Sequence, residues 1–106
     1  MFHALFILCV ACESSSSTQS VSDYEKLCKI YEEVVKTRSS KTERIVLLTE
    51  RIKKEIPDIY PIYQNAALVA GKEKYQFFKE AAETDTNVSW DCDAMKFYFS
   101  NDSSSH

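Results

Sequence analysis

Glycine occurs once and proline twice in 106 residues. A turn-rich β fold needs many positions with positive φ, so this scarcity argues for helices instead. Histidine is confined to positions 3 and 106, at the two extremes of the chain. The body between them lacks the commonest general base, every Ser-His or Cys-His nucleophile pair, and the ligand that most zinc sites use. No metal site and no cofactor is expected. Lysine and arginine form no block: 13 basic and 16 acidic residues are interspersed, for a net charge of −3. That pattern leaves no electrostatic footprint for nucleic acid and no polybasic attraction to an anionic membrane. Long hydrophobic runs are missing too, since a bilayer span takes roughly 20 apolar residues.

What is present begins with Phe2 to Glu13, FHALFILCVACE, followed by Ser14 to Ser17. Ala4 to Ala11 is a short apolar stretch with small residues at its end, the size of the apolar region of an export signal. Residues 1–11 are therefore expected to be a signal peptide and 12–22 a Ser-rich tether, flexible because it has nothing to bury. Residues 23–100 form the domain, and 101–106 a disordered tail.

Leu8-Cys9-Val10-Ala11-Cys12 resembles the lipobox of bacterial lipoprotein signals, with Cys9 standing where leucine is usual. The resemblance covers about the first twelve residues. It implies cleavage before Cys12, acylation of that thiol, and a membrane as partner through the lipid anchor. At about 0.8 kcal/mol per buried CH₂, several acyl chains would make the anchoring effectively permanent. Two other readings of the same residues stay open. Ordinary secretion would cleave after Ala11 and leave the Cys12 thiol free or in a mixed disulfide. Cys9 and Cys12 also form a C-x-x-C, but a redox motif of that kind needs a preceding strand and a following helix.

Of the four cysteines, Cys9 leaves with the signal and Cys12 lies at the cleavage point, so Cys28 and Cys92 remain as a pair. An exported domain of about 80 residues buries only about 60% of its unfolded surface and gains much from a staple. Closing a loop of about 65 residues contributes roughly 4 kcal/mol, comparable with the whole stability of so small a domain.

The fold class read from the rest is all-α: a small bundle of about five short helices with one disulfide. Ser22 and Glu25 have capping-box spacing, and Tyr24, Leu27, Cys28, Tyr31, Val34 and Val35 then recur on one helical face to about Lys36. Ser40 and Glu43 repeat the box and open a second helix to about Glu55, with Ile45, Leu48, Ile52 and Ile56 as its stripe. Pro57 ends it. Asp58 caps a third helix that tolerates Pro61 in its first turn. Gly71 stands where a helix C-terminus takes positive φ. A fourth helix spans Lys72 to Glu83, and Ser89 caps a last one through Trp90, Cys92, Met95 and Tyr98 or Phe99. Lys96 to Phe99 alternates like a strand, with no partner strand visible.

The candidate chemistry is sparse. Glu32-Glu33, Glu80/Glu83 and Asp91/Asp93 are the only carboxylate groupings, and each also reads as a solvated face or as helix-dipole partners. Cys92 has a second reading as a reactive thiol at a helix N-terminus, which Asp91 and Asp93 oppose. Trp90 and Met95 read as core covering the bridge, with a ligand pocket as the alternative. Tyr60, Phe77 and Phe97 lie off the main stripes and form a possible aromatic patch for a protein partner. Asn87-Val88-Ser89 and Asn101-Asp102-Ser103 match the N-glycosylation sequon. Together, Cys28, Trp90-Asp91-Cys92 and Met95 resemble the arrangement in small exported bacterial helical domains, a pattern that carries no site residues with it.

The expectation is an exported, lipid-anchored helical binding or structural module of the cell envelope, without evident catalysis. The alternatives are a thiol-redox or carboxylate enzyme using Cys92 or Glu80/Glu83, and a secreted small effector or inhibitor.

Overall fold

The computed structural model describes residues 21–104, with side chains through Ser100. The segment expected to be a signal, Cys12 with its expected acylation, the expected tether to residue 20 and the side chains of residues 101–106 lie outside the described residues. Five α-helices, two 3₁₀ turns and no strand make up the described chain. Helix α1 covers residues 21–35, α2 Lys41–Glu55, α3 Tyr60–Ala66, α4 Lys74–Thr86 and α5 Asp93–Ser104, with 3₁₀ turns at Pro57–Ile59 and Gly71–Glu73.

Helix α1 supplies the largest share of the core. Tyr24, Leu27, Ile30, Tyr31 and Val34 are all buried, at the spacings that bring one face of a helix together. Ile30 widens that face beyond the expected stripe. Val21 and Ser22 are already helical, so Ser22 is not the residue that opens α1. The second box does form: Ser40 Oγ accepts the Glu43 N–H at 3.2 Å, and the Glu43 carboxylate accepts the Ser40 N–H at 2.8 Å. These two bonds satisfy donors that the first turn would otherwise leave unpaired. Leu48 and Ile52 from α2 and Ile56 just beyond it enter the core, while Ile45 is 45% exposed.

The proline at 57 ends α2 as its chemistry requires, with Ile56 at φ −136°, ψ 65°. Asp58 does not cap the third helix. It sits inside the 3₁₀ turn, and α3 begins from Ile59 with no side-chain cap. Gly71 departs from expectation as well. Among the described residues the one with positive φ is Asn87, at 59°, where it closes α4. Helix α3 stops at Ala66 in local turns, the Ala67, Leu68 and Val69 N–H groups donating to Gln64, Asn65 and Ala66 O, and the Lys74 ammonium adds bonds to Ala66 O at 2.8 Å and Val69 O at 2.7 Å. These turns, with a cation on the last carbonyl, close the helix end without a left-handed glycine.

Helix α5 starts three residues after Trp90, not at Ser89. Lys96 to Phe99 is helical, which disposes of the strand alternative, and the helix runs on to Ser104, into the segment expected to fray.

The disulfide joins Cys28 on α1 to Cys92 just before α5, across a sequence separation of 64 and a Cα–Cα distance of 5.8 Å. Around it the core is aromatic. Tyr31 packs edge-on against Phe78 and Tyr98, and Phe78 stacks on Phe99 at 5.9 Å. Such pairs add about 0.5–1.5 kcal/mol each beyond the area they bury.

Candidate functional site

Two places in the fold concentrate polar groups near aromatic surface. The first is the loop of residues 87–92, which carries Cys92 into the core. Glu83 accepts the Trp90 N–H at 2.9 Å, and Lys79 donates to Trp90 O at 2.6 Å while pairing with Glu83 at 2.8 Å. The Tyr75 hydroxyl accepts the Cys92 N–H at 3.0 Å and donates to Asp91 at 2.8 Å. Trp90 stacks on Tyr75 and meets Tyr24 edge-on. The Tyr24 hydroxyl donates to Asp85 at 2.6 Å. Trp90, Asp91 and the Cys92 N–H are thus held by side chains of α1 and α4, which explains why Ser89 has no part in starting α5.

The electrostatics follow from these contacts. The hydrogen bond from Lys79, then that from the Trp90 N–H, holds the Glu83 carboxyl below the usual carboxylate range. The Tyr75 hydroxyl, then Lys79, does the same for Asp91. Burial, then the bond to Asp85, pushes the Tyr24 phenol well above its ordinary value. Burial also raises Tyr75 and Tyr63. Both members of the Glu80/Glu83 pair have partners: Glu83 is tied to the Trp90 loop, and Glu80 accepts from Gln76 at 3.1 Å. Glu33 is paired with Arg51, which also holds Glu55. Cys92 is 2% exposed and its sulfur is in the bridge. Met95 is fully buried in the same core as Cys92, and Trp90 packs against that core half-buried.

The second place is a cleft of about 490 Å³ open to one side, within the range usual for small-ligand sites. Its floor is made of Tyr31, Phe78, Tyr98 and Phe99, from α1, α4 and α5. Ile45, Leu48 and Thr49 of α2 form one wall, and Tyr60, Tyr63 and Gln64 of α3 the other. Ala66 and Ala67 leave the space because their side chains are too small to fill it. Lys74 enters from the start of α4. Thr49 Oγ and the Tyr63 hydroxyl share a hydrogen bond of 2.9 Å, and Tyr60 stacks on Tyr63 at 6.2 Å.

Of the three residues suggested as an aromatic patch, Tyr60 lines this cleft, Phe77 is half-buried edge-on against Phe78, and Phe97 is 62% exposed on α5. Thr49, Gln64 and Lys74 carried no sequence signal as a group, since they come from three different helices. The local repeat of tyrosine at 60 and 63, one helical turn apart, was the available hint. Among the described residues there is no cluster of His, Cys, Asp and Glu fit to hold a metal ion, and no helix long and apolar enough to cross a membrane.

Fold and cleft together define a disulfide-stapled helical domain with an aromatic-floored cavity. Compared with family models, curated proteins and solved structures, the chain matches none.

Proposed function

We propose that the chain is an exported binding module of the cell envelope, anchored by acylation of Cys12, with the aromatic cleft as its ligand site. The observation that carries this reading is the Cys28–Cys92 disulfide. Structural disulfides of this kind form and persist in oxidising compartments, which suits a chain whose first residues read as an export signal. The cleft supports binding over bond-breaking. Its polar groups are two hydroxyls bonded to each other, an amide, and an ammonium already on two carbonyls. A nucleophile next to a base, which a hydrolytic or transfer site needs, is not among them. The thiol-redox alternative would require Cys92 to be reached by a partner, and its burial argues against that.

The test is the intact mass of the mature protein before and after reduction and alkylation. A mass that starts at Cys12 with about three acyl chains, and two alkylations only after reduction, is the expected result. A mature protein in the medium without lipid would favour a secreted effector or inhibitor. A mass retaining Met1, with Cys28 and Cys92 alkylating at once, would refute export and staple together.

A further inference from the structure

We infer that the cleft takes a small amphipathic carboxylate, with an apolar body on the ring floor and its single negative charge at Lys74. The inference rests on reading the cleft as the binding site and adds the chemistry of what fills it.

The charge around the cleft is one-sided. Its thirteen lining residues include one cation, Lys74, and no carboxylate, although the chain as a whole carries a net charge of −3. Two further cations lie against the same walls. The Arg44 guanidinium sits over the Tyr98 ring at 6.0 Å, and the Lys53 ammonium over the Tyr60 ring at 5.7 Å. A concave, low-dielectric surface with charge of one sign favours a ligand of the other.

Lys74 is a fixed charge, not a trailing surface lysine. Its bonds to Ala66 O and Val69 O use two of the three N–H groups an ammonium has, and the third remains for a ligand. The Thr49–Tyr63 pair adds a donor, because whichever hydroxyl donates within the pair, the other keeps a proton to give. One ammonium N–H and one hydroxyl suit a monocarboxylate better than a dianionic phosphate, which needs more donors to replace its water.

The size and lining set the rest of the ligand. At about 30 Å³ per water-sized group, an open cleft of this volume holds a body of roughly ten to fifteen heavy atoms. Such a body would lie against Ile45, Tyr60 and Tyr63, which keep apolar surface in water above the buried ring floor, so an aliphatic chain or an aromatic ring gains by covering it. An acid without that body would leave those wall side chains wet. A neutral amphiphile would offer Lys74's remaining N–H at most a hydroxyl oxygen and would cover the ammonium with no counter-charge.

The test uses the full chain with its disulfide formed, and the neutral fluorophore N-phenyl-1-naphthylamine as reporter. Decanoate and decanol, matched in chain length and kept below their aggregation limits, compete for the site. Decanoate is expected to displace the probe at about tenfold lower concentration than decanol, a difference of about 1.4 kcal/mol. Lys74→Gln, which keeps an N–H donor, should reduce that ratio to about two or less, and Lys74→Arg should retain most of it. The comparison in the unaltered chain decides the matter even if a Lys74 variant folds poorly. Equal displacement by acid and alcohol would overturn the carboxylate assignment while leaving the cleft reading intact. No probe binding, or probe binding unaffected when Ala67→Trp fills the cleft, would overturn the cleft reading itself.

Discussion

Reducing the Cys28–Cys92 bond removes a cross-link between residues 64 positions apart without changing any packed side chain. The chain-entropy relation for a closed loop of about 65 residues gives roughly 14 cal/mol/K, or about 4 kcal/mol at 25 °C. At about 0.05–0.15 kcal/mol per residue, a domain of about 80 residues has only about 4–12 kcal/mol of stability in all. The bond therefore accounts for a third of the stability or more. The assay is urea unfolding of the oxidised and reduced forms, followed by far-ultraviolet circular dichroism and by the fluorescence of Trp90, the single tryptophan. With a slope of about 1 kcal/mol/M at this size, the reduced protein should unfold several molar earlier, or be unfolded in buffer. The Trp90 signal should move first, because its loop is tethered through Cys92. A reduced protein whose midpoint lies within about 0.5 M of the oxidised one would refute the argument. It would mean that the aromatic core and the loop contacts hold the fold unaided.

Three further outcomes follow from the contacts. Ile52→Ala, at a fully buried position of α2, should cost about 2–5 kcal/mol, read as an earlier thermal midpoint with the disulfide intact. Tyr75→Phe removes the hydroxyl between Asp91 and the Cys92 N–H. Leaving that N–H unpaired should cost about 1–3 kcal/mol, and Trp90 emission should shift even where the helix content does not. Acid titration should loosen the same loop. Glu83 and Asp91 titrate below their ordinary values when folded, so their contribution is fully present above the ordinary carboxylate range, near pH 4. It is lost as pH falls through the lower folded values. Trp90 emission should thus stay constant from pH 7 to about 5 and shift below about 4, and Glu83→Gln should remove part of that transition.

The all-helical class, the second capping box, the stop at Pro57 and the Cys28–Cys92 pairing were legible from residue order alone. The box and the stop depend on atoms within four residues of each other, and the pairing on a count that left two cysteines. The element ends that departed from expectation have causes farther away. Helix α3 ends at Ala66 in backbone turns that Lys74 braces from eight residues away, so Gly71 had no terminus to close. Helix α5 begins after a loop pinned by Tyr75, Lys79 and Glu83 from the preceding helix, so Ser89 had no start to cap. The cleft lies further still from local pattern. Thr49 and Lys74 look like ordinary helix-surface residues in their own segments and Tyr63 like part of a core stripe, and only the packing of α2, α3 and α4 brings them to one cavity. Residue order by itself determined which faces must be buried, because hydrophobic periodicity is written every three or four positions. Which unburied side chains meet, and where small alanines leave space between helices, was decided by tertiary structure, since those contacts join residues that no local spacing relates.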